Sequence, residues 1–378
     1  MVEGTFGGLF EGMTVLVTGH TGFKGSWLGI WLHELGANVV GYSLDPPTTP
    51  SNFALSHLAE RVVDVRGDVR DMARLEQTIR DHRPQAILHL AAQPLVLLSY
   101  REPRETMVVN VGGTLNVLEA VRRTEMRGAV LCITTDKVYK NREWLWGYRE
   151  IDELGGHDPY SASKAMAELA IESYRQSFFS PTQYDAHGLA LASARAGNVI
   201  GGGDWGEHRL IPDLVRALIG GEPMQLRNPG YVRPWQIVFE SLSGYLWLTA
   251  KLLGADASHF CEAWNLGPQE HRAVTTKEIV RQAIALWGSG TYTCGTAQTE
   301  VETALLRLNW DKAAARLGWR SIYSWEEALS ETIEWYRTYN EKSSGNYIDM
   351  YDACVAQIQR YTERARERGL AWAKQRNR

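Results

Sequence analysis

Short apolar runs rich in β-branched residues alternate with longer amphipathic stretches through about residue 200, a pattern that predicts a parallel sheet covered by helices on both faces. Met13–Thr18, Asn38–Ser43, Arg61–Val65, Gln85–Leu90, Gly128–Thr134 and Gly188–Ala194 read as buried strands. Between them, Ser26–Leu35, a segment opening at Asp71, Thr106–Arg123 and Tyr160–Phe179 carry helical spacing. This is the α/β, Rossmann-type doubly wound fold, whose ligand crevice lies beyond the carboxyl ends of the strands. Beyond it the pattern loosens, which predicts one domain over 1–200, a smaller C-terminal lobe over 201–345 with some chain returning to the first domain, and a helix over 346–378. That tail carries Arg360, Arg364, Arg366 and Arg368 and reads as solvated, or packed on a neighbouring subunit.

Polar residues fall where such a sheet places its chemistry. The first strand ends in Gly19-His20-Thr21-Gly22-Phe23-Lys24-Gly25. Glycines at the first, fourth and seventh positions suit a tight turn, close approach of backbone to a pyrophosphate and close helix packing, with the following helix offering its N-terminus to the anion. A plain strand-to-helix turn fits the same spacing. The second strand ends at Ser43, where an acid would hold an adenosine ribose; Asp45, before two prolines, reads more as a turn former than as a ribose ligand. No arginine follows this strand end to hold a 2′-phosphate, so NAD is expected rather than NADP. Asp68, beside Val69, could meet an adenine edge or cap the next helix, and Ala91-Ala92-Gln93 supplies small residues for a flat ligand.

The fifth strand ends in Thr135-Asp136-Lys137, and downstream Tyr160 and Lys164 stand four residues apart on the first turn of a helix, facing one side. An ammonium beside a phenol favours the phenolate, which would let Tyr160 take a proton from an alcohol far below its ordinary pKa of about 10. Taken alone, the spacing also fits a core tyrosine beside a solvated lysine. Arg227 and Arg233, set among prolines and aromatics, suit the two phosphates of a diphosphate, though either could instead form a surface ion pair.

Composition narrows the class. The 378 residues carry a formal net charge of -4, so neither nucleic acid nor an anionic membrane is an expected partner. Four cysteines, Cys132, Cys261, Cys294 and Cys354, lie far apart and form no C-x-x-C pair, which argues against structural zinc or a disulfide framework and fits a reducing cytoplasm. No metal is expected. Residues 1–13 do not read as a signal peptide, and no apolar stretch approaches the ~20 residues that span a bilayer.

Seven segments together resemble one branch of the extended short-chain dehydrogenase/reductase family, the CDP-glucose 4,6-dehydratases. They are Thr18-Gly-His-Thr-Gly-Phe-Lys-Gly25, Ala91-Ala-Gln-Pro94, Thr135-Asp-Lys-Val-Tyr139, Trp144-Leu-Trp-Gly-Tyr-Arg-Glu150, Tyr160-x-x-x-Lys164, Arg195-Ala-Gly-Asn-Val-Ile-Gly-Gly-Gly-Asp-Trp205, and Arg227-Asn-Pro229 with Arg233-Pro-Trp-Gln236. The likeness spans Gly12 to about Tyr339, and the Trp-x-Trp and Gly-Gly-Gly-Asp-Trp segments are its most specific parts.

The resemblance implies a hydro-lyase that runs on bound NAD with no net redox change. It turns a nucleotide sugar into its 4-keto-6-deoxy form by moving a hydride from C4 to C6. In that scheme Tyr160, supported by Thr135 and Lys164, takes the 4-hydroxyl proton, protonated Asp136 donates to the departing 6-hydroxyl, and Lys137 stands where related dehydratases carry the glutamate that would remove the C5 proton. Gly19 to Gly25, Asp68, Val69, Ala91, Ala92, Gln93, Tyr160 and Lys164 would hold the dinucleotide. Gln93, Asn198, Arg209, Arg227 and Arg233 would hold the sugar nucleotide. Leu97, Ala162, Ile237 and Val301-Glu302-Thr303 depart from the branch's pattern and put the particular substrate in question. A different nucleotide-linked substrate handled by a dehydratase, epimerase or dehydrogenase is the alternative, and a catalytically silent dinucleotide sensor the third reading. The family commonly pairs through helices such as Thr106–Arg123 and Tyr160–Phe179, so a homodimer or homotetramer is expected.

Overall fold

The apolar runs pair side by side into one sheet. The structure is a computed structural model, and it describes residues 2, 4–269, 274–295, 306–343, 345 and 347–374; Val301-Glu302-Thr303 lie outside the described residues. Its strands are β1 (Thr14–Thr18), β2 (Asn38–Ser43), β3 (Val63–Arg66), β4 (Ala86–His89), β5 (Gly128–Thr135), β6 (Leu189–Ala196) and β7 (Ala263–Leu266). The seven run in the order β7-β6-β5-β4-β1-β2-β3, every neighbouring pair parallel. The order reverses between β1 and β4, so the carboxyl ends of that pair open the crevice.

Alternation sends successive side chains to opposite layers. Val15 and Val17 enter one apolar core while Leu16 enters the other, all three buried. On the first side lie α1 (Phe23–Glu34) and, from later in the chain, α6 (Val238–Leu252). The second side is closed by α2 (Met72–His82), α3 (Gly113–Arg123) and α4 (Pro159–Ser177). The remaining longer helices are α5 (Leu210–Gly220), α7 (Thr276–Trp287), α8 (Trp325–Lys342) and α9 (Tyr351–Glu367).

Three sequence expectations shift. The first helix opens at Phe23 rather than Ser26, because Ser26 N–H already bonds the Gly22 carbonyl at 2.8 Å and the glycine turn itself winds into the helix. The expected helix over 106–123 is interrupted by a π turn at Val108–Gly112, where the Asn110 amide donates to the Gln93 carbonyl and to Ser163. The tail is not a solvated rod. Tyr351, Cys354, Ile358, Tyr361 and Ala365 repeat at helical spacing and are buried, and Tyr361 meets Trp31 of α1 edge to face. Two of its arginines lie along α8, where Arg360 pairs with Glu331 and Arg364 with Glu327. The apolar stripe, not the basic end, decides where this helix lies.

Among the described residues, no helix is long and apolar enough to cross a membrane, and no cluster of His, Cys, Asp and Glu could hold a metal ion.

Candidate active site

The glycine turn after β1 is built so that only glycine fits. Gly19 takes φ +78, and a Cβ there would stand 2.8 Å from the Ala91 nitrogen; a Cβ on Gly25 would stand 2.0 Å from the Gly19 carbonyl oxygen. Gly22 precedes α1 with no side chain bonded to the helix's first N–H groups, which leaves them to an anion. Thr21 bonds Ser43 at 2.8 Å and pins the turn to the end of β2. Across the crevice, Thr18 Oγ1 accepts from the Leu90 and Ala91 N–H groups and holds the Ala91-Ala92 segment beside the turn. A tight, uncapped, small-residue cradle of this kind fits the diphosphate of a dinucleotide.

The reactive side chains gather at the ends of β5 and α4. Asp158 caps α4, accepting from Ser161 N–H at 2.9 Å, and Pro159 starts it, which sets Tyr160 in the first turn with its N–H on Ser99 Oγ at 3.1 Å. Thr135 donates to Asp136 Oδ1 at 2.9 Å and is hydrogen-bonded to the Tyr160 phenol. The Lys137 ammonium stands 6.0 Å from the centre of the Tyr160 ring, and the Lys164 ammonium donates to the Ile133 carbonyl at 3.3 Å. The structure brings Thr135, Asp136, Lys137 and Tyr160 together, while Lys164, one turn along α4, bonds to the backbone of β5.

Their electrostatics depart from the expectation. Burial pushes the Tyr160 phenol up to about 12, against the hydrogen bond to Thr135 that holds it down. Burial likewise brings Lys164 down to about 8 and Lys24 to about 8. The phenol is thus not pre-ionised in this structure, because its own burial outweighs the hydrogen bond from Thr135. Burial raises Asp136 above the ordinary carboxylate range, opposed chiefly by Lys137 and then by Thr135, Lys24 and Arg233. A carboxyl raised in this way can carry a proton to donate.

Other sequence candidates are placed as follows. The Gln93 side chain is engaged within its own turn, donating to the Leu95 carbonyl and Thr106 and accepting from Leu95 N–H. Asp68 accepts from Arg70, while the cap of α2 is Asp71. Asn198 lies half-buried between β6 and the short strand at 199–200. Arg209 sits at the start of α5, paired with Asp204 at 3.0 Å. Arg233 bears on Asp136, whereas the exposed Arg227 is paired with Asp213 of α5. Ile237 is 1% exposed, a core position. Asp45 is exposed on the loop.

One expectation is corrected. Although no arginine follows β2 in the chain, Arg66 ends the adjacent strand β3 and stands in register with Ser43. Sequence order hides this neighbour, which only the β2–β3 pairing creates.

Sequence reading also missed a buried network below the site. Glu168, one turn beyond Lys164 on α4, accepts from Arg195, Thr134 and Ser193, and Arg195 continues to Tyr139, whose hydroxyl donates to Asn265 of β7 at 2.7 Å. The available signal was a carboxylate four residues past the lysine, on the helix face that must look inward.

A parallel doubly wound sheet, a glycine cradle at its switch point and a Tyr/Lys pair beside it define a Rossmann-type member of the dehydrogenase, epimerase and dehydratase class. The chain belongs to the family described as GDP-mannose 4,6 dehydratase, whose model matches residues 16–244. It is 46% identical over 331 residues to the CDP-glucose 4,6-dehydratase of Salmonella typhimurium, covering 87% of this chain and 92% of that one. A dTDP-glucose 4,6-dehydratase of Xanthomonas campestris is 27% identical, covering 86% of this chain and 93% of that one. Among solved structures, the Streptomyces venezuelae dTDP-glucose 4,6-dehydratase DesIV with NAD bound matches at TM-score 0.73 and 25% identity, covering 88% of this chain and 99% of that one. The Thermus thermophilus UDP-glucose 4-epimerase complexed with NAD matches at TM-score 0.72 and 26% identity, over 86% of this chain and 99% of that one.

Proposed function

We propose that this protein is an NAD-dependent hydro-lyase that converts CDP-glucose into CDP-4-keto-6-deoxyglucose and water. The observation that carries the reading is the chain Tyr160–Thr135–Asp136 at the crevice mouth, which sets two proton-bearing groups side by side for two hydroxyls of one sugar. The 46% identity to a CDP-glucose 4,6-dehydratase over 87% of this chain supports the substrate.

The glycine cradle from Gly19 to Gly25 and the Ala91-Ala92 segment would hold NAD, which when bound supplies a store for the hydride that leaves and re-enters the sugar. Tyr160, once ionised, accepts the proton of the 4-hydroxyl and returns to the neutral phenol; Thr135 donates to the phenolate before that transfer. Asp136, whose hold on a proton burial strengthens, gives a proton to the 6-hydroxyl as water departs. Lys137, beside Asp136, is assigned the C5 proton. Arg233 and Arg209 line the substrate side, where guanidinium forks suit a diphosphate.

The test is incubation with CDP-glucose and NAD, reading the absorbance of the keto sugar in alkali. GDP-mannose, dTDP-glucose and UDP-glucose serve as controls. Product from CDP-glucose alone supports the reading; product from another nucleotide sugar alone removes the substrate assignment and keeps the reaction. We further propose a homodimer through α3 and α4, whose outer faces expose Leu115, Met166 and Leu169. Light scattering at micromolar concentration checks it.

A further inference from the structure

Three charged side chains meet at the carboxyl end of β2, where this fold places the adenosine ribose of a dinucleotide. The Arg66 guanidinium donates to Asp64 Oδ2 at 2.8 Å and to the Leu44 carbonyl at 3.0 Å, and it stands 3.5 Å from Asp45 Oδ1. Asp64 is held from its other oxygen by His20 Nε2 at 2.9 Å, which links the cluster to the glycine turn. The Phe53 ring backs both partners, 5.1 Å from the Arg66 guanidinium and 5.3 Å from the His20 ring. The Arg66 side chain is 36% exposed, so it faces the crevice rim and is not sealed inside.

We infer that Arg66, neutralised by Asp64 and Asp45, sets the choice between the two nicotinamide dinucleotides and excludes the one bearing a 2′-phosphate; the inference rests on the NAD reading above. An arginine at this place would ordinarily recruit that phosphate. Here one cation faces two carboxylates, and the cluster carries net negative charge. A 2′-phosphate brings about −1.5 to −2 more and would have to break the Asp64 pair to reach the guanidinium. A ribose bearing a plain 2′-hydroxyl adds no charge and can donate to Asp45. Discrimination is achieved without an acid on the last residue of β2, because two acids beside the arginine oppose the phosphate instead.

The experiment titrates purified protein, stripped of nucleotide, with NAD and with NADP by calorimetry. Wild type should bind NAD more tightly. Asp45→Asn with Asp64→Asn should raise the affinity for NADP relative to NAD about tenfold. Asp45→Asn alone, at an exposed position, should shift the ratio the same way by about threefold. Adding Arg66→Gln to the double variant should abolish the gain. Raising salt should weaken the wild-type discrimination, which a packing effect would not do. Equal wild-type affinities, or a ratio unmoved in both the single and the double variant, overturns the inference. Should the double variant lose NAD as well, the ratio in Asp45→Asn alone decides. A wild-type chain that binds neither dinucleotide removes the NAD reading itself, and this inference with it.

Discussion

Glu168 Oε2 and Arg195 Nη2 lie 2.8 Å apart with side chains 2% and 4% exposed, one turn along α4 from Lys164. Burial alone would raise this carboxyl, but Arg195, Thr134 and Ser193 together hold it below the usual range. Removing one partner of such a pair strands the other in a medium that cannot solvate it. Glu168→Ala is expected to cost about 3–5 kcal/mol in urea unfolding. A loss under about 1 kcal/mol would mean the arginine finds water or another acceptor.

The single hydroxyl of Thr135 serves both Tyr160 and Asp136. It cannot donate to both at once, so its proton must follow the ionisation of the pair. Thr135→Val is expected to lower kcat about 10²-fold with KM changed little, and Thr135→Ser to keep most of the rate. Steady-state kinetics on CDP-glucose decide; equal rates for Val and Ser at this position rule out the role.

Removal of the C5 proton is assigned to Lys137, whose ammonium stands 6.0 Å from the Tyr160 ring centre. Lys137→Ala should abolish incorporation of solvent deuterium at C5 together with turnover. Normal exchange in this variant assigns the proton to another base.

A side chain on Gly25 has nowhere to go, since its Cβ would stand 2.0 Å from the Gly19 carbonyl oxygen. Gly25→Ala should open the turn and abolish NAD binding by calorimetry. A variant binding NAD as wild type does would place the dinucleotide elsewhere.

Glu240 of α6 is buried, accepts from the Ile322 and Tyr323 N–H groups at 2.7 Å each and from the Tyr361 hydroxyl at 2.6 Å, and ties α9 to the core. Burial raises it to about 7 against those donors. Because the folded state holds this proton more tightly than the unfolded chain does, the stabilisation is full below the unfolded value of about 4.3 and is lost as pH rises through about 7. The span corresponds to about 4 kcal/mol. Glu240→Gln, which no longer ionises, should therefore compare better with wild type at pH 8 than at pH 5 in thermal unfolding, and a difference independent of pH would refute this.

What the sequence determined by itself is local or periodic. The strand runs, the glycine turn and the Tyr160/Lys164 spacing rest on interactions between residues a few positions apart, and period alone reveals which face they share. Tertiary structure decided the rest. Arg66 reaches the end of β2 only because β3 pairs there, Glu168 finds Arg195 across two elements, and the tail helix turns its apolar stripe onto α1. The proton affinity of Tyr160 belongs to the same set. A lysine four residues on can be read from the chain, but the loss of water around the phenol comes from every segment packed over it, and here that loss outweighs the hydrogen bond from Thr135.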